Sequence, residues 1–190
     1  MIYSLSQINR MDRSQFIQAL GEIFERTPTV ASQAWDYRPF VSTEELHQKM
    51  MTIVLGFDLD RKLALVRAHP DLGSKVKMAE ASAREQAGAE LDRLSSIEYA
   101  QFQQLNQAYQ AKFDFPFIIA VKNHTKQSIL AAFDRRLQNS ADEELSTAIE
   151  EISQIARFRL LAIIDSPSAK ADAVPTAGFA NANGDATRTS

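Results

Sequence analysis

No cysteine occurs in the 190-residue chain, which excludes disulfides, thiolate nucleophiles and cysteine-ligated zinc or iron–sulfur centres. Any chemistry must use oxygen and nitrogen groups. Glycine and proline are scarce, six of each, so the chain has few of the breakers that a many-turned β fold requires. The longest apolar run, residues 115–121, is far shorter than the roughly 20 residues of a membrane-spanning helix. No membrane partner is expected. Excess positive charge is also missing: 21 Lys and Arg face 24 Asp and Glu, a net charge of −3. That balance excludes the basic face that nucleic acid demands and leaves room for a small neutral or anionic ligand. There is no phosphate-cradling glycine loop or nucleotide fingerprint. The opening residues, Met1 to Ser6, lack the regions of a secretory signal, and Thr187-Arg188-Thr189-Ser190 is not a peroxisomal tripeptide, so a cytoplasmic location is expected.

What is present is apolar periodicity. Hydrophobic residues make up 45% of the chain, enough for one substantial core, and they recur at helical spacing. Asp12 with Gln15 caps a helix whose stripe is Phe16, Leu20, Ile23 and Phe24. Ser42 with Glu45 opens a second, carrying Leu46, Met50, Ile53, Val54 and Phe57 on one face. A short helix over residues 59–68 ends at His69-Pro70, the Ser82 helix follows, and Ser95 with Glu98 caps the next, turning Phe102, Leu105 and Tyr109 inward. Residues 114–121 break the pattern; they predict an extended segment that crosses the helices and whose backbone groups need partners from elsewhere. Helices over 125–138 and 142–164 complete an all-α, single helical-bundle domain, residues 1–165. Residues 166–190 are rich in Ala, Ser, Thr, Pro and Gly and are expected to be a disordered tail.

Two features look chemical. The first is the run Ala68-His69-Pro70-Asp71-Leu72-Gly73 together with Ser82, Glu85 and Gln86. Pro70 disfavours helical dihedrals at the residue before it, so His69 belongs at a helix end facing a cleft. Ser82, Glu85 and Gln86, at i, i+3 and i+4, share one helical face. Imidazole suits proton transfer near neutral pH, and a nearby carboxylate can orient it. A capped loop beside a solvated helix face accounts equally well for these residues alone. The second feature is Arg159, which stands where a hydrophobe should complete the stripe Leu145, Ile149, Ile152, Ala156 and Ile163. A guanidinium there needs an internal carboxylate, an anionic ligand or a route for its head to solvent. If it serves a ligand, Arg159→Met is expected to leave the empty fold as stable or slightly more so. Arg157, on nearly the opposite face, is expected in water. His47 and His124 lack partners at metal-ligand spacing and read as surface groups.

These residues resemble the 2-oxo-4-hydroxy-4-carboxy-5-ureidoimidazoline (OHCU) decarboxylases of the urate-to-allantoin pathway. The resemblance runs through Arg38-Pro39-Phe40, residues 68–73, Ser82-x-x-Glu85-Gln86, residues 113–121 and Ile155-Ala156-x-x-Arg159-Leu160, and spans all but the tail. It implies an all-α fold, a homodimer, a small-molecule substrate, and neither metal nor organic cofactor. The implied activity is decarboxylation of OHCU to (S)-allantoin, the last step of that pathway. It places the catalytic histidine at His69, with Glu85 orienting it or binding the ureido group. Substrate contacts fall on Pro70, Ser82, Gln86, Phe117, Ile118, Ile119, Ala120, Val121 and Arg159. Asp114 stands where members often have glycine. A lyase or hydrolase on a related ureido or imidazoline acid, and a non-catalytic helical interaction module, remain as alternatives.

Overall fold

The computed structural model describes residues 2–72, 91 and 94–165. The expected tail, Gly73 and the Ser82, Glu85 and Gln86 group lie outside the described residues. Within them the chain forms eight α-helices: α1 (Leu5–Arg10), α2 (Arg13–Leu20), α3 (Thr29–Ala34), α4 (Thr43–Leu55), α5 (Leu59–Arg67), α6 (Ser96–Phe113), α7 (Lys126–Arg136) and α8 (Ala141–Ile163). The all-α reading holds. Tyr3–Ser4 (β1) pairs in parallel with Ile164–Asp165 (β2), which ties the start of the fold to the end of its longest helix. The Arg38–Pro39 peptide is cis.

Local chemistry sets the helix starts. Asp12 and Ser95 form full capping boxes with Gln15 and Glu98. Ser42 caps α4, but Glu45 reaches past it to the Val41 N–H at 2.7 Å. The predicted 142–164 helix starts one residue earlier because Ser140 and Glu143 build a box of their own. Ile23 and Phe24 are buried as expected, although they lie beyond the end of α2 in the following turn.

α8 is the central element. It packs on α4 and α5, while α3 packs on α4 and α2. Against this frame lies the extended segment, whose residues 115–121 are all buried. Its Phe117 ring stacks on Phe133 at 3.7 Å, and Tyr109 meets Phe117 edge-on at 5.1 Å. A buried ion pair braces this cluster: Arg136 Nε donates to Glu144 Oε1 at 2.8 Å, and the Tyr109 hydroxyl donates to the same oxygen. Burial first, and Glu144 second, push the Tyr109 phenol far above its ordinary range, so it stays a donor.

At the end of α6 the glycine-like position is left-handed after all: Asp114 adopts φ 60° and ψ 26°. Aspartate tolerates that region better than most residues, and Arg67 holds it by an ion pair to the carboxylate and by donating to its carbonyl at 3.0 Å. We expect Asp114→Ala to cost about 1 kcal/mol through backbone strain, and Asp114→Gly to stay within about 0.5 kcal/mol because relief of strain offsets the loss of an exposed pair. Chemical denaturation midpoints check both; equal midpoints for the Ala and Gly variants contradict the strain argument.

Candidate active site

His69 follows the last turn of α5, and its backbone N–H donates to the Val66 carbonyl at 3.2 Å. The residue is 8% exposed, more enclosed than a helix end facing a cleft suggests. Nδ1 lies 3.0 Å from the Leu65 carbonyl oxygen. A carbonyl can only accept, so in the neutral ring Nδ1 carries the hydrogen and Nε2 is left as the acceptor nitrogen. Burial lowers the His69 pKa to about 4; the Leu65 bond and the charge of Glu25 oppose that shift, and Arg159 adds to it. His69 is therefore neutral at pH 7, with Nε2 unprotonated and, without ligand, weakly basic.

The loop after His69 is fixed by α6. Asn106, buried, donates to the Leu72 carbonyl at 2.8 Å, and Gln110 donates to Asp71 Oδ1 at 2.8 Å. Burial pushes the Asp71 carboxyl up, and the Gln110 bond opposes it. Pro70 sits half-buried between His69 and this anchor. Asn106 escaped the sequence reading, although it carries the same signal as Arg159: a polar residue within an apolar stripe, here Phe102, Tyr109 and Phe113.

Arg159 is buried, and of the alternatives open for it the structure supplies the internal carboxylate. Its Nη1 lies 3.1 Å from Glu25 Oε2, 3.2 Å from the Glu22 carbonyl oxygen and 3.4 Å from that of Ile23. Glu25 is 2% exposed. It lies on the turn after α2, where no helical period marks a residue as inward-facing, so the sequence pattern gave no means of choosing it. Arg157 is exposed, as expected, and its Nε meets Glu44 Oε2 at 3.2 Å.

Four backbone groups of residues 115–121 are already engaged. The Ile118 carbonyl accepts from Arg136 Nη1 at 2.7 Å, and the Ala120 N–H donates to Glu151 Oε2 at 2.8 Å. The Ala120 and Val121 carbonyls accept from the N–H groups of Asn123 and His124. Side chains thus supply part of the partners that these backbone groups need from elsewhere. Phe117 and Ile119 have no backbone hydrogen bond within the described residues. The structure pairs Arg159 with Glu25, and both charges act on His69; the segment is gripped through Glu151, eight residues before Arg159 on α8 and so about 12 Å away along the helix axis. The described residues include no group of three or more His, Asp or Glu arranged to hold a metal.

His47 departs from its expected place. It is buried, with Nε2 2.9 Å from the Ser153 carbonyl oxygen, because α4 packs this face on α8. His124 remains partly exposed beside Ser128.

The family model described as OHCU decarboxylase matches residues 9–161. The chain belongs to the OHCU decarboxylase family. It is 45% identical over 157 residues to a 2-oxo-4-hydroxy-4-carboxy-5-ureidoimidazoline decarboxylase of Haloferax volcanii, covering 83% of this chain and 94% of the relative. A protein of the same name from Halalkalicoccus jeotgali is 40% identical over 83% of this chain and 89% of its own length. Among solved structures, that of an (S)-allantoin synthase superposes with a TM-score of 0.70 at 30% identity, covering 85% of this chain and 54% of that longer one. The match to the OHCU decarboxylase family takes in Glu25, His69 and Arg159 alike. Among the described residues of this family member, no helix is long and apolar enough to cross a membrane.

Proposed function

We propose that this chain is a carboxy-lyase that converts OHCU to (S)-allantoin without a cofactor, the last step of urate degradation to allantoin. The observation that carries the reading is the buried, neutral His69, its Nδ1 held by Leu65 and its Nε2 left unprotonated, within the field of the Arg159–Glu25 pair. The substrate supplies its own electron sink. Its carboxyl-bearing carbon also carries a hydroxyl and adjoins a ring carbon double-bonded to nitrogen. When the carbon–carboxylate bond breaks, its electron pair forms a double bond between the two ring carbons, and the imine π pair moves to nitrogen, which takes a proton. Carbon dioxide leaves. The remaining enol loses its hydroxyl proton and gains one on the former imine carbon, giving allantoin.

His69 Nε2 takes the hydroxyl proton and returns a proton to one face of that carbon. A bound substrate carboxylate raises the imidazole from its low resting pKa, which strengthens the base only when substrate is present. Arg159 contacts anionic or carbonyl oxygens of the substrate, and Pro70 walls the pocket. Ser82 and Gln86 bind polar edges, and Glu85 binds the ureido group or assists His69. Backbone groups of Phe117, Ile118, Ile119, Ala120 and Val121 serve the ring amides or ureido arm, with Phe117 and Ile119 best placed because groups of Ile118, Ala120 and Val121 are already engaged internally. The acting protein is a cytoplasmic homodimer whose catalytic domain is residues 1–165, with residues 166–190 as an appended tail.

The test follows substrate loss by ultraviolet absorbance and carbon dioxide release together, using freshly generated OHCU. Acceleration of both over buffer supports the reading; loss of substrate with no carbon dioxide points to a hydrolase instead. Dialysis against a chelator is expected to leave turnover unchanged, since no step above needs an added electron sink. Restoration of a dialysed, inactive sample by a divalent metal would overturn that expectation.

A further inference from the structure

Among the described residues two ion pairs are fully enclosed, Arg136 with Glu144 and Arg159 with Glu25. The first braces the aromatic core. The second lies close enough for both its charges to act on the buried His69, and packing alone gives no reason for it, since apolar groups of similar volume commonly replace a buried ion pair at no loss of stability. Its geometry suggests another reason. A guanidinium presents its five N–H donors in one rigid plane, so fixing one corner fixes the direction of the whole group. One turn fixes that corner, offering Nη1 the Glu25 carboxylate and the carbonyls of Glu22 and Ile23. The turn is itself tightly determined. A Cβ on Gly21 would lie 2.5 Å from the Ile17 carbonyl oxygen, Arg26 has φ 49°, and Thr27 Oγ1 donates to the Glu25 carbonyl at 2.8 Å.

We propose that Glu25 is a positioning residue for the decarboxylation, holding the Arg159 guanidinium in one orientation beside His69 and cancelling its charge there. The proposal rests on the reading of the site as an OHCU decarboxylase. Among the described residues, the charges that act on His69 are Glu25, from the turn after α2, and Arg159, from α8; its own helix contributes the Leu65 carbonyl. Without Glu25, the arginine would depress the basicity of His69 further. It would also grip a substrate carboxylate harder in the ground state than in the transition state, where that group leaves as neutral carbon dioxide, and tighter ground-state binding slows turnover.

The test uses the full chain as E25Q, R159M and the double variant E25Q/R159M. In each, proton NMR reads the titration of His69 without ligand, the three histidines being assigned with a His69 variant, and kcat and KM are measured separately. We expect the His69 midpoint to fall in E25Q, rise in R159M and return close to wild type in the double variant. Turnover should fall about tenfold or more in E25Q with KM unchanged or lower, and the double variant should be no slower than R159M. Equal His69 midpoints in all proteins, wild-type kcat and KM in E25Q, or a further tenfold loss in the double variant would each overturn the proposal. If E25Q does not fold, the rise in R159M and its reversal in the double variant decide the matter. Failure of the wild type to decarboxylate would sink the proposed function, and the ligand-free midpoints would still report whether Glu25 cancels Arg159.

Discussion

His69→Asn is expected to fold like the wild type and to lose on the order of 10²-fold or more in decarboxylation, the usual range for a general acid–base group. Asparagine keeps a short polar side chain near the end of α5 but has no basic nitrogen to take the place of Nε2. The pH dependence has a definite sign. The base must be neutral, so kcat/KM of the free enzyme is flat near pH 7 and falls as pH drops through about 4. Stability moves the same way. The folded ring titrates at about 4 against 6.5 for the unfolded group, so the unfolded chain binds the extra proton between those values and about 3 kcal/mol is lost as pH falls across that window. In His69→Asn that part of the pH dependence of unfolding should vanish. A folded variant with near-wild-type turnover would remove His69 from the mechanism.

Arg159→Met has the other large effect. From the sequence alone, methionine in the apolar stripe is expected to leave the empty fold unharmed. Glu25 reverses that expectation: removing one partner of a buried pair strands the other, at a cost of about 3–5 kcal/mol. Molecules that remain folded should also lose about 2–5 kcal/mol of transition-state stabilisation if a desolvated contact to substrate is gone. Arg157→Met is the control, and its exposed pair with Glu44 is worth about 0–1 kcal/mol. Urea midpoints and single-turnover rates separate the two losses. If Arg159→Met is destabilised but its folded fraction turns over normally, the arginine is a strut and no part of the site.

The contrast between these two residues shows what the sequence could reveal. His69 is legible at the helix end that Pro70 enforces and Arg159 as a polar group in an apolar stripe, and the caps at Asp12, Ser42 and Ser95 locate three helix starts closely. Six-residue helices α1 and α3 were not legible, because so few residues define no stripe. Nor were the partners: Glu25 reaches Arg159 across 134 positions of sequence from an aperiodic turn. Leu65 acts through a backbone carbonyl at the end of α5, and such orphan carbonyls occur at the end of every helix. Asn106 was missed although it carried a readable sign. His47 reads as a surface group for want of a partner at metal-ligand spacing, and only the neighbouring α8 buries it.

In the proposed reaction one site removes the carboxylate and then protonates one face of the enol it produced. Circular dichroism of allantoin formed from freshly generated OHCU tests this most directly, since an achiral solvent protonates both faces equally. A growing signal of (S)-allantoin whose amplitude accounts for all the substrate consumed is expected, and its loss with His69→Asn. Substrate consumption at the buffer rate, or accelerated consumption giving racemic allantoin, would contradict it.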